Sequence, residues 1–84
     1  MALLAGMESE TRVSLLLELT KIRSEQLTDA IYDHLCKGHA SSVAAALNNI
    51  TEGQVARAMV KLNDINDIVI KIEECDFSRF IKNS

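Results

Sequence analysis

No proline interrupts this chain of 84 residues, and glycine occurs only three times. Both residues punctuate turns and break regular elements, so their scarcity argues against a turn-rich all-β sandwich or barrel and favours uninterrupted helices. Tryptophan is absent and the aromatics are one Tyr and two Phe, so the core must be built from Leu, Ile, Val and Ala. The two cysteines, Cys36 and Cys75, form no CxxC pair. That removes a disulfide framework and leaves reduced thiols as the expectation. His34, Cys36 and His39 lie close together, with Cys75 as a conceivable fourth ligand, but their spacing fits no common zinc pattern. The simpler expectation puts Cys36 at a helix end and His39 in a loop, with no metal.

Catalytic signatures are missing as well. There is no glycine-rich phosphate loop, nucleophile elbow or HExxH sequence, and Asp29 and Asp33 on one helical face are explained by solvation. Neither an enzyme nor a cofactor is expected. The apolar stretch within residues 1–7 has no basic flank and is too short for a signal peptide or a membrane span. A soluble, cytoplasmic protein without a membrane partner is therefore expected.

Excess positive charge is also lacking: the net charge is -3 and the pI about 5.2. Nucleic-acid binders are usually basic. The deficit is uneven, however, because residues 21–61 net +1 while the two flanks each carry -2. So small an excess neutralises few phosphates per protomer, and useful DNA affinity would require several protomers on one duplex.

What the chain does contain is helical periodicity with helix punctuation. A first helix is expected over 8–20, with Val13, Leu16 and Leu17 on one face and Leu15 and Leu19 widening it. Ser24 caps a second, running to about Cys36 with Leu27, Ala30, Ile31 and Leu35 inward. Gly38 suits a left-handed C-terminal cap. A third, alanine-rich helix covers about 41–48, Asn48 and Asn49 supply turn chemistry, and Thr51 with Gln54 forms a capping box for a fourth. This is the order of a helix-turn-helix, whose second helix presents the exposed face from Glu52 to Lys61 to DNA.

The stripe Val55, Ala58, Met59, Leu62, Ile65, Val69 and Ile72 makes the fourth helix far longer than a recognition helix requires. Packing its second half on the first helix, in the same protomer or a twin, would bury the excess. Asn63, Asp64, Asn66 and Asp67 are weak helix formers, so the helix is expected to be bent or continuous, with a short strand over 68–72 as the alternative. Residues 76–81 are expected to form a terminal turn that docks Phe77 and Phe80. The whole reads as an all-α helix-turn-helix domain of four to five helices over 8–84, preceded by a flexible segment over 1–7. Leu15, Leu16, Leu19, Ile65, Ile68, Val69 and Ile72 form the expected interface of an oligomer, at least a dimer.

From Ser24 to about Ile72 the chain resembles the PapB-type regulators of fimbrial adhesin operons. The resemblance rests on the helix from Leu27 to Leu35, the Gly38-His39 pair, Ile50 at the turn, Gly53 with apolar Val55 one residue beyond its neighbour, and the Leu62-Asn63 step. It implies a bacterial transcription regulator that binds A·T-rich double-stranded DNA as an oligomer and senses DNA shape, with minor-groove contact. The implied helix-turn-helix core falls on Ala44, Leu47, Ile50 and Val55. The implied DNA face is Ser41, Ser42, Thr51, Gln54, Arg57 and Lys61. Where family members tend to place basic residues after the Gly-His pair, this chain has Ala40, Ser41 and Ser42, which leaves Lys37, Arg57 and Lys61 to grip phosphate. His39 either caps its loop or touches DNA. A second reading remains open beside this one: an acidic interaction module that joins a DNA-binding regulator as a heteromeric partner. An antitoxin-like repressor would share the same DNA surface.

Overall fold

The computed structural model describes residues 3–82, and side chains as far as residue 77. Four helices follow one another: α1 (Glu10–Glu18), α2 (Glu25–Leu35), α3 (Ser41–Leu47) and α4 (Glu52–Lys82), with no strand among the described residues. Each start and stop has a local cause. Ser9 Oγ accepts the Arg12 N–H at 3.1 Å, so α1 begins two residues later than its periodicity suggests. It closes when the N–H groups of Leu19 and Thr20 turn back onto the carbonyls of Leu16 and Leu17, and the Thr20 hydroxyl donates to Leu17 at 2.7 Å. Ser24 caps α2 as expected, accepting from the Leu27 N–H at 3.3 Å.

Two small apolar clusters hold the helices together. Val13, Leu16 and Leu17 of α1 meet Ile31 and Leu35 of α2 and Ala58 and Leu62 of α4. Ala30 of α2, Ala44 and Ala45 of α3 and Val55 of α4 form the second. Each fully buried Leu, Ile or Val contributes about 1.5–3 kcal/mol through removal of apolar surface from water. With its seven residues and no side-chain cap, α3 is too short to persist alone. Its two buried alanines hold it against both neighbours.

α4 is one continuous helix of 31 residues, and the strand alternative over 68–72 is not realised. The asparagines that should weaken it are engaged from outside: Asn63 Oδ1 accepts the Leu3 N–H at 2.8 Å, and Asn66 Oδ1 accepts from Arg12 Nη2 at 2.7 Å. Side chains so occupied no longer compete for the helix's own backbone groups. Arg12 also approaches Glu73 at 3.8 Å, so the middle of α4 packs on α1 of the same protomer. The expected terminal turn over 76–81 does not fold back. Phe77 is 65% exposed because the helix continues to Lys82, and the Phe80 side chain lies outside the described residues.

The segment over 3–7 is not a free leader. Leu3 is buried in the main cluster, and the N–H groups of Gly6 and Glu8 donate to the carbonyls of His34 and Leu35, each at 3.1 Å. The chain start thus satisfies acceptors at the end of α2 that have no partner within the helix. The approach requires two glycines: Gly6 has φ +73° and Gly38 φ +83°, and a Cβ on Gly6 would stand 3.0 Å from the Gly38 Cα. The expected oligomer surface is also divided. Leu16 belongs to the protomer's own core, and Ile65 and Val69 are half-buried against it. Leu15, Leu19, Ile68 and Ile72 remain exposed.

Gly6→Ala should destabilise the fold by about 1–2 kcal/mol, because a side chain both strains the positive φ and meets backbone. Urea unfolding followed by circular dichroism reads this as a lower midpoint with an unchanged slope.

Candidate nucleic-acid interface

The turn between α3 and α4 is fixed by asparagine chemistry. Asn48 caps α3, and its Nδ2 donates both to the Ala44 carbonyl and to Asp33 Oδ2, each at 2.8 Å. Asn49 takes φ +58°, a left-handed value that asparagine tolerates better than most residues. The Ile50 N–H returns to the Ala45 carbonyl at 3.0 Å while its side chain packs on the second cluster. Thr51 and Gln54 then form the full capping box: the Gln54 N–H donates to Thr51 Oγ1 at 3.2 Å and the Thr51 N–H to Gln54 Oε1 at 3.0 Å.

This turn aims one face of α4 outward. Gln54, Arg57 and Lys61 border a single groove with Ile22, Leu27 and Ala58. Arg57 and Lys61 are exposed, and neither has a carboxylate partner among the described residues. Gln54 keeps only its amide nitrogen for other work, since its oxygen is held by Thr51. The Arg57 guanidinium reaches back along the helix, with Nη1 3.5 Å from where a Gly53 Cβ would stand. No part of α3 approaches that position, so Gly53 does not serve helix packing there; its bare backbone leaves room for Arg57. Ser41 joins the edge of this face, its Oγ donating to Glu52 Oε1 at 3.2 Å, and Ser42 is exposed beside it.

Lys37 and His39 lie elsewhere. Lys37 pairs with Asp33 at 3.3 Å and borders a different concavity, shared with Glu10, Asp29 and Tyr32. It is thereby a weaker phosphate ligand than its position in the sequence suggests. The His39 N–H donates to the Asp33 carbonyl at 3.0 Å, and its own carbonyl accepts from His34 Nδ1 at 2.7 Å. A carbonyl only accepts, so Nδ1 of His34 carries the proton there. The backbone of His39 thus closes its loop, while its side chain stays exposed. Burial, with Glu10 and Glu8 nearby, pushes the Cys36 thiol up and keeps it protonated at neutral pH. Among the described residues no three His, Cys, Asp or Glu side chains gather as a metal site.

The pairing of Asp33 with Asn48 had no signal in the sequence, because the two are 15 residues apart, one within α2 and the other at the end of α3. It ties α2 to the turn that orients α4. The Asn48 hydrogen bond is the largest influence holding the Asp33 carboxyl below its ordinary 3.8; Lys37 and His39 add to it and burial opposes it.

A short alanine-packed helix, an asparagine turn and a capped long helix with outward cations define the class: an all-helical helix-turn-helix regulator. The sequence model for the PapB family, described as adhesin biosynthesis transcription regulatory protein, matches residues 1–76. The chain belongs to this family, and its role is transcription regulation of adhesin biosynthesis rather than catalysis. It is similar to E. coli FocB in that protein's crystal structure, with 25% identity and a TM-score of 0.80, over 87% of this chain and 83% of FocB. Comparison with curated proteins gave no match. No helix among the described residues is long and apolar enough to cross a membrane.

Gly53→Ala should stabilise the protein by about 0.5–1 kcal/mol, since the added methyl meets only ordinary contacts at the Arg57 tip and the Thr51 hydroxyl. A higher urea midpoint checks this. Because the Asp33 pKa is lower folded than unfolded, its stabilisation is complete above about pH 4 and is lost as pH falls through the folded value. The stability difference between wild type and Asp33→Asn should therefore shrink below about pH 4 in denaturation curves taken across the acid range.

Proposed function

We propose that the protein regulates a fimbrial or adhesin operon by binding A·T-rich double-stranded DNA as an oligomer, with the first three turns of α4 at the duplex. The observation that supports this best is the outward pair Arg57 and Lys61, unneutralised in an acidic chain and held on a helix whose start is fixed by the capping box and the Asn48–Asp33 bond. Arg57 suits a narrow, electronegative minor groove, where A·T-rich sequence concentrates negative potential. Lys61, one turn further on, suits a phosphate. Ser41, Ser42 and Thr51 supply hydroxyls at the rim, and Gln54 offers its remaining amide donor.

Two cations per protomer give weak single-site binding, so adjoining protomers on repeated sites provide the affinity. Exposed Leu15 of α1, Leu19 at its C-terminal cap, and Ile68 and Ile72 of α4 are the surfaces available for self-association. The same apolar surfaces, with the negative balance of the chain and Glu52 at the α4 start, also favour a second reading in which the protein joins another regulator and modifies its assembly.

Fluorescence anisotropy with A·T-rich and G·C-rich duplexes of equal length separates the two readings. Direct recognition gives steep, salt-sensitive binding that prefers the A·T-rich duplex, and Arg57→Ala should weaken it about fivefold or more at near-physiological salt while helical content is retained. A folded protein with no affinity for either duplex leaves only the partner reading.

A further inference from the structure

The cations left free of carboxylate partners extend beyond the helix-turn-helix. Arg12 is taken up by Glu8 and Glu73, and Lys37 by Asp33. Lys21 and Arg23, in the connection between α1 and α2, have no carboxylate partner among the described residues, and neither do Arg57 and Lys61. The structure brings Lys21, Lys61 and Arg57 toward one side, and Arg23 adjoins them in the chain through Ile22. Lys21 and Lys61 border one concavity with Thr20, Asp64 and Ile65, and Lys61 continues into the adjoining groove beside Arg57, whose opposite wall is Ile22 and Leu27.

The connection is also firmly built. Ile22 packs against the main apolar cluster, and its N–H donates to Thr20 Oγ1 at 3.1 Å. Thr20 is itself buried and bonded to the end of α1. Arg23 Nη1 donates to the carbonyls of Thr20 and Ile22 at 2.9 and 2.8 Å, which fixes its guanidinium while leaving Nε and Nη2 as further donors. In the run Lys21-Ile22-Arg23 the apolar side chain is thus an anchor between two outward cations. Asp64 and the adjacent Glu25 reduce the local field without pairing with either cation.

We propose that the α1–α2 connection is a second wall of the DNA-binding surface, with Lys21 and Arg23 gripping backbone phosphates that flank the groove entered by Arg57. This rests on the reading of α4 as the DNA-facing helix. Contacts of this kind carry no sequence information and set register and orientation on the duplex. They also raise the number of phosphates neutralised per protomer, which the helix-turn-helix alone leaves small.

The test is anisotropy at several salt concentrations on both duplexes, with the full chain, the Lys21→Gln/Arg23→Gln pair, Lys21→Gln alone, Arg23→Lys and Arg57→Ala. Lys21→Gln touches no internal bond, so it remains informative if the double variant loses structure by circular dichroism. Each lost charge should reduce affinity about fivefold at 0.15 M salt, equally on both duplexes, and lower the salt slope by about one. Arg23→Lys should keep the slope. Wild-type affinity and slope in Lys21→Gln and the folded double variant, beside weakened Arg57→Ala, overturn the second wall and leave the α4 reading intact. Weakened binding with an unchanged slope also overturns it, because the loss is then structural. Full binding by Arg57→Ala beside loss in the loop variants overturns the α4 reading and the joint surface with it, and a folded wild type that binds neither duplex overturns both.

Discussion

The close approach of three helices through Ala30, Ala44, Ala45 and Val55 is the contact on which the helix-turn-helix half of the molecule depends. α3 has neither the length nor the capping to stand alone. Only side chains as small as alanine let it lie against α2 and α4 together, and that seating sets where the chain turns at Asn48 and in which direction α4 departs. A larger residue at Ala44 or Ala45 would push α3 away and carry the turn with it, since interiors this close-packed have no slack to absorb added volume. The Asn48–Asp33 bond and the return of Ile50 to Ala45 secure the same geometry by directional bonds.

Net charge describes this protein poorly because the charges are sorted by the fold. Glu8, Glu73 and Asp33 are spent on internal partners, taking Arg12 and Lys37 out of circulation. Of the cations left without a carboxylate partner among the described residues, Lys21, Arg57 and Lys61 gather where the α1–α2 connection meets the first half of α4, while Lys71 lies further along that helix. An acidic total therefore coexists with a locally cationic edge.

Features written in local chemistry were legible in the sequence. Ser24, Gly38 and the Thr51–Gln54 box act within a few residues of themselves, and their helices begin and end where those residues dictate. The apolar stripe of α4 likewise announced one long helix despite its asparagines. What escaped were contacts between distant residues. Leu3 reaches Asn63 across 60 positions, and the Gly6–Gly38 approach shows only in three dimensions, so residues 3–7 resembled a loose leader. Leu16 looked like part of an interface because the leucines of α1 alternate between inner and outer faces too closely for a helical projection to sort without its neighbours. The ion pair of Lys37 was by contrast legible locally, because Asp33 lies one helical turn before it, at the spacing that brings opposite charges together.

The unbroken length of α4 joins two regions that would otherwise be independent. The molecule measures 51 Å along its longest axis and 23 by 18 Å across, and a 31-residue helix spans about 46 Å of such a length. Arg57 and exposed Phe77 are thus fixed about 30 Å apart on one stiff rod. A tilt of about 10° about Leu62 swings Phe77, about 22 Å further along, by about 4 Å. The long helix is in mechanical terms a lever, with its fulcrum at Leu62, where α1, α2 and α4 meet.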